Sequence, residues 1–347
     1  MAIVFSGTTR PQSELEEIQS EIYADWGTFR DRDVDISENH KAGADVYESK
    51  VVVGMKAYTG AAVTAQSDTL TVGKTPVTLV KFEYSDTVNY NTLLNTRFER
   101  SMKAGAFETV SSEFDNKVLQ YITPAISQDL ENKVWDGVTT AQAALIAALT
   151  PGASQGSISA GAQTLVAAMP TNLFNSFPAI ILHNDSQSKV TPGAGLGDYV
   201  KVPSIAGSIT SSNIADEYAK LFAVIDPKVI ALSKTPPVIF APLAHRSLMR
   251  IANNSVGAAS NKNFEFASDA LDSKCFYNGI EVKFKPLVGF MIACPPMYLK
   301  ILMDLANDMN QLETGKMANG SDYYYYKNVQ SIATWCTNQR YIVLYGG

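Results

Sequence analysis

A single stretch, SSEFDNKVLQYITPAISQDLENKVWDG from Ser111 to Gly137, does most to limit what this chain can fold into. Its spacing predicts one long helix with both ends marked. Ser112 and Asp115 have capping-box spacing, in which each side chain satisfies a first-turn backbone N–H that has no partner inside the helix. Gly137 suits the left-handed residue after a last turn. Phe114, Val118, Ile122, Ile126, Leu130 and Val134 recur every four residues, with Tyr121, Ala125 and Trp135 beside them. Such a row drifts around a helix of about 3.6 residues per turn, so the apolar stripe winds and meets different neighbours along its length. At about 1.5 Å per residue the rod is roughly 39 Å long. Pro124 sits mid-helix, removes one backbone bond and predicts a kink. A long core helix of an ordinary globular protein carries the same marks.

The whole chain, at 347 residues, is long enough for two or three domains. With 46% hydrophobic and 18% charged residues it can bury a normal core. A net charge of -6 argues against a surface that grips nucleic acid by neutralising phosphates, though not against a container around it. Cys275, Cys294 and Cys336 are odd in number with no CxxC pair, so neither a disulfide framework nor a zinc site is suggested. His40, His183 and His245 lie far apart. MAIVFSG lacks the basic start of a secretory signal, and no apolar run reaches the roughly 18 residues of a membrane span.

Taken in order, residues 1–45 read as an arm. An amphipathic piece (Leu15, Ile18, Ile22, Tyr23, Trp26) precedes the charged RDRDVDISENH, which is expected to lie extended or in a loop. Residues 48–86 read as a two-stranded excursion, ESKVVVGMKAY pairing with TPVTLVKFEYS across the polar loop TGAAVTAQSDTLTVGK. A hairpin of that kind is marginal until something covers it. A short helical piece (Leu93, Leu94, Phe98, Met102) leads to the long helix. AQAALIAAL suggests a helix, PGASQGS a loop, FPAIILHN a buried strand, and Val190–Ser208 a glycine-rich loop. Ser211 or Ser212 caps a helix with Ile214, Tyr218, Leu221 and Ile225 on one face. Beyond 235, PPVIFAP is a strand, LAHRSLMRIANN a helix, and CFYNGIEVKFKPLV a strand pair around an Asn-Gly turn. FMIACPP, YLKILMDL and the last ten residues are further strands. Strands and helices without a regular βαβ repeat give the α+β class.

Motifs for chemistry are absent. Gly73-Lys74-Thr75 lacks the upstream glycine of a phosphate-binding loop, where Asp68 stands, and precedes a strand rather than opening a helix. Gly193, Gly195 and Gly197 space like part of a dinucleotide fingerprint, but no helix opens from them. There is no HExxH, and the GxSxG spacing at Gly152–Gly156 falls in PGASQGS, which reads as a loop rather than as the strand-to-helix elbow that such a nucleophile needs. His245 has no carboxylate near it in sequence. Tyr323–Tyr326 read as a strand with one face in a core and one at an interface rather than a base-stacking platform, since Lys327 is the only cation beside them. The expectation is therefore no catalytic, cofactor-binding or metal-binding residue.

The order of elements resembles the major capsid protein of tailed bacteriophages, the Hong Kong 97-like fold. The resemblance implies an N-terminal arm (1–47), an extended β-hairpin loop (48–86), a peripheral domain (87–234) that includes the spine helix at 111–136, an axial domain (235–318), and a return strand of the peripheral domain (319–347). NGIEVKFKP, YLKILMDLANDMNQLETGKMANGSD and the closing strand to Tyr345 look like capsid proteins of phages of Bacteroides-type bacteria. The implied function is structural and not enzymatic: self-assembly into hexamers and pentamers of an icosahedral head that encloses double-stranded DNA without sequence-specific binding. Implied partners are scaffolding, portal and decoration proteins, with no cofactor and no membrane, in a virion assembled in the host cytoplasm. Some members form a Lys–Asn crosslink between subunits. Lys56 and Lys74 lie in the extended-loop region, but nothing selects a partner, so none is expected. Many members carry an N-terminal scaffolding segment that is cut away; Met1 here begins a short arm, which leaves that role to a separate protein. An encapsulin-like shell around cargo enzyme shares the fold, and a hydrolase of α+β architecture is the alternative from another class.

Overall fold

The computed structural model describes residues 26–38, 40, 45–51, 70–89, 112–148, 160–182, 208–232, 235–255, 264–268, 270, 273–304, 311–316 and 323–346. The chain divides into two compact units. One comprises Met1–Ala42, Leu79–Val134 and Ile301–Ala333, the other Gly43–Thr78, Trp135–Lys300 and Thr334–Gly347.

The first unit holds helices α1 (Gly27–Arg30) and most of α2 (Ser112–Trp135). Its sheet has the order β1 (Asp35–Ser37), β10 (Leu299–Met303), β12 (Tyr323–Cys336), β11 (Gln311–Lys316), with β4 (Val80–Asn89) also on β12. β12 is the long central strand, antiparallel to β4 from Tyr323↔Asn89 to Ile332↔Val80 and to β11 from Tyr324↔Lys316 to Val329↔Gln311. Within RDRDVDISENH the strand β1 forms as the expected extended piece.

α2 runs through Pro124, close to the expected bounds. Ile126, Leu130 and Val134 are buried as the four-residue row requires. Tyr121 and Ala125 are exposed instead, while the small polar Thr123 and Ser127 are buried. The buried face thus runs through Thr123, Ser127, Leu130 and Val134, whose spacings of four, three and four stay on one side of a helix with about 3.6 residues per turn, while the four-residue row drifts off it at the half-buried Ile122. The side chains of Ser112, Phe114, Asp115 and Val118 lie outside the described set.

In the second unit α2 ends at Trp135, fully buried, its ring centroid 5.1 Å from Phe177 and 4.9 Å from Phe240. Gly137 has φ +147°, not the left-handed helical value expected of a cap. A Cβ there would sit 3.0 Å from Asn172 Cβ, so only glycine fits both the backbone and the neighbour. Helices α3 (Thr140–Ala147), α4 (Ala160–Ala168), α5 (residues 177–182), α6 (Ile214–Val224), α7 (Pro227–Leu232) and α8 (Leu243–Ser255) follow. The expected strand FPAIILHN is helix α5 over 177–182, with every residue buried. The Ile180 N–H donates to the Ser176 carbonyl at 3.0 Å, and Pro178 in the first turn needs no acceptor. The Ala-rich run at 160–168 is also a helix.

The six-stranded sheet has the order β13 (Val343–Gly346), β9 (Phe290–Cys294), β5 (Val238–Pro242), β8 (Ile280–Lys285), β7 (Cys275–Tyr277), β6 (Phe264–Phe266). β5 and β8 are parallel, whereas β13–β9, β9–β5, β8–β7 and β7–β6 are antiparallel. Asn278 and Gly279, at φ +47° and +78°, make the β7–β8 turn, the conformation that selects Asn-Gly. The last strand, expected to return to the peripheral part, pairs with β9 here; β12 alone returns to the first sheet. One face carries α6 and α8, whose Ile214, Tyr218, Leu221 and Met249 are fully buried in one cluster. The expected apolar face of α6 holds, but the residue before it is Asn213 rather than Ser211 or Ser212.

The hairpin is paired differently from the expectation. β2 (Asp45–Val51) pairs with β3 (Leu70–Pro76), a segment expected to be loop, with Asp45↔Pro76 and Val51↔Leu70. TPVTLVKFEYS contributes β4 to the other sheet. Pro76 ends β3 because it has no N–H to donate. Residues 52–69, 90–111 and 183–207 lie outside the described set, with Lys56, His183, the helical piece at Leu93–Met102 and Gly193, Gly195 and Gly197 among them.

Candidate functional site

Within the first unit, the turn of α2 at 129–133 is tied to two distant segments. The Tyr84 hydroxyl on β4 donates to Asp129 Oδ2 at 2.6 Å, and Lys133 Nζ meets the same oxygen at 2.6 Å while lying 5.1 Å from the Tyr84 ring centroid. Burial, then the hydrogen bond and charge of Asp129, push the Tyr84 phenol far above its ordinary range. Lys133 in the last turn also opposes the negative end of the helix dipole.

Glu131 holds the segment around α1. Its Oε2 accepts from the Thr28 N–H at 2.9 Å and its Oε1 from Thr28 Oγ1 at 2.7 Å. A helix start has N–H groups without internal acceptors, and Trp26, at the cap position, offers no side-chain oxygen. Glu131 supplies the acceptor from 103 residues away. Trp26 and Thr28 are fully buried, and the Trp26 ring stacks on Phe29 at 5.8 Å. Nothing local in the sequence marks Glu131 as that partner.

In the second unit the buried Glu217 accepts from the Tyr345 hydroxyl, two residues from the end of the chain, and from Lys220 Nζ at 2.8 Å. Burial raises the Glu217 carboxyl, but the Lys220 and Tyr345 hydrogen bonds and the Lys220 charge leave it below its ordinary value. His245 is buried on α8 with Nδ1 3.2 Å from the Tyr218 hydroxyl. Burial holds its pKa down to about 4, so the ring is neutral at pH 7. Arg246 Nη2 and Arg250 Nη2 donate to the carbonyls of Ser273 and Ala270 at 2.8 and 2.6 Å, and their guanidiniums lie over Phe284 and Phe266. These contacts hold a fold together; they do not align a nucleophile with a base.

The residues singled out in the sequence fall as follows. Cys275, Cys294 and Cys336 are free and buried. Burial pushes the Cys275 thiol up to about 12. Gly73-Lys74-Thr75 lies in β3, and Lys74 Nζ pairs with Asp45 at 3.2 Å. In the tyrosine run Tyr323 is 40% exposed and Tyr325 buried, and Lys327 pairs with Glu83 at 3.2 Å. Among the described residues no three His, Cys, Asp or Glu side chains are grouped to hold a metal ion. Among them no helix is long and apolar enough to cross a membrane.

The mixed helix-and-strand architecture is that of phage capsid chains. The chain is similar to one in the procapsid of satellite phage P4, solved with its size-determination protein, with a TM-score of 0.52 over 95% of this chain and 98% of that one at 8% identity. The capsid of an empty GTA particle gives a TM-score of 0.49 at 10% identity, covering 100% of this chain and 93% of that one. A chain of Microbacterium phage Oxtober96 gives the same values, 0.49, 10%, 100% and 93%. At such identities the likeness is one of fold. No protein-family model matches the sequence, and no curated protein matches it.

Proposed function

We propose that this chain is a major capsid protein. It assembles into hexamers and pentamers of an icosahedral phage head around double-stranded DNA, without catalytic, cofactor or metal residues of its own. The observation that carries the reading is the likeness to the P4 procapsid chain, which spans both chains almost end to end. In this reading α2 is the spine helix of a Hong Kong 97-like subunit, and the arm, expected to run to residue 47, gives way to the extended loop where β2 begins at Asp45. The β2–β3 hairpin belongs to the extended loop, the six-stranded sheet to the axial domain, and β12 is the return strand of the peripheral domain. The C-terminal third, with NGIEVKFKP and the run to Asp322, resembles capsid proteins of phages of Bacteroides-type bacteria, and that likeness supports a phage head over other shells.

Exposed apolar side chains support a subunit that needs neighbours: Tyr47 on β2 is 67% exposed, Leu243 on α8 59% and Val288 57%. Burying them between subunits would supply affinity, and symmetric repetition of one contact closes a shell. Scaffolding, portal and decoration proteins are the expected partners, in a virion assembled in the host cytoplasm. Sedimentation of the pure chain at high concentration, with and without crowding agent, and of the chain co-expressed with its neighbouring genes, tests the reading. Capsomers or shells support it, and a monomer under every condition refutes it. Shells that co-purify with an enzyme carrying a cargo peptide, and without DNA, place it instead with encapsulin-like compartments.

A further inference from the structure

The register of β4 on β12 sets Tyr84 opposite Asn328 and Phe82 opposite Gln330. Directly opposed residues of an antiparallel pair project from the same face of the sheet. From that face Tyr84 reaches Asp129 of α2. Asn328 and Gln330 therefore lie on the face that meets α2. Asn328 is fully buried and Gln330 is 2% exposed. Oδ1 and Nδ2 of Asn328 and Oε1 of Gln330 have no hydrogen-bond partner among the described residues. Two donors and two acceptor oxygens are thus brought together beneath a helix, two residues apart on one strand.

A buried amide with nothing to bond is strongly unfavourable, and several convergent polar atoms are what an internal water requires. We propose that Asn328 and Gln330 form an internal hydration site between the first sheet and α2. Water there donates to Asn328 Oδ1 or Gln330 Oε1 and accepts from Asn328 Nδ2, joining the two side chains into one network. The inference is independent of the capsid reading, because it concerns the subunit alone.

Thermal melts of the full chain with Asn328→Leu, Gln330→Met and both together test it. A bridged network makes each single substitution lower the melting temperature, by about 3 °C or more, because the water and the other amide lose a partner. The double substitution, which removes both sides, recovers most of that loss. A dry, unpaired amide gives the opposite sign: Asn328→Leu raises the melting temperature and the two effects add, which overturns the proposal. Should the variants fail to fold, an experimental density map of the wild-type chain at a resolution that shows waters decides. Density within hydrogen-bond distance of both amides is the expected result, and an empty or closed space refutes it.

Discussion

Protonation of His245 offers a quantitative check of the second unit's core. The ring is buried on α8 against Tyr218, and its pKa falls from the ordinary 6.5 to about 4. Between those values the unfolded chain carries a proton on His245 that the folded chain does not. The unfolded state therefore binds more protons, and the stability from this residue rises with pH across the window. It is fully present above about pH 6.5 and is lost as pH falls toward 4. A fall of roughly 2.5 in pKa, at about 1.36 kcal/mol each, is about 3 kcal/mol, of which about 2.5 kcal/mol is lost by pH 4.5. Carboxylates also titrate in that range, so the measurement is a difference. Urea melts of the wild type and of His245→Gln, which cannot take the proton, are compared from pH 7.5 to 4.5. The wild type loses about 2.5 kcal/mol more than the variant over that span. Parallel loss in the two proteins, or an NMR titration that places the His245 ring near 6.5 in the folded chain, refutes the reasoning.

Replacing Glu131 by Gln weakens both hydrogen bonds to Thr28 and costs about 1.5–3 kcal/mol, the range for bonds to a charged group, read as a lower urea midpoint. Trp135→Ala opens a cavity between Phe177 and Phe240 and costs about 3–5 kcal/mol by the same assay. Tyr345→Phe leaves the buried Glu217 without its hydroxyl donor; stability falls by about 1.5–3 kcal/mol at pH 7, and the difference from wild type shrinks in acid as the carboxyl protonates. Gly137→Ala meets both an unfavourable φ and Asn172, so it lowers the melting temperature although it adds a single methyl group.

Much of the local structure was legible because local signals agreed. The long helix over Ser112–Trp135, the Asn278-Gly279 turn, the strands at Val238 and Phe290 and the apolar face of α6 each need only neighbours in sequence to be read. The errors come where the deciding partner is distant. Helix α5 is apolar on all sides, so its composition carries no period to separate helix from strand, and burial on every side is what the fold supplies. The hairpin strand at Leu70–Pro76 is short and contains glycine, lysine and two threonines, which read as loop until β2 pairs with it. β13 could be seen as a strand but not assigned to β9. The ties at 129–133 are invisible in the sequence, because Thr28, Tyr84 and Glu131 are brought together only by packing. The amides of Asn328 and Gln330 lay in a strand readable from its tyrosines and valine, yet their shared face follows only from the register with β4.

Electron micrographs of the expressed chain, alone and with its neighbouring genes, test the central claim most directly. Closed shells or rings of five and six subunits are the predicted result. Uniform particles of a single subunit in every preparation would contradict it.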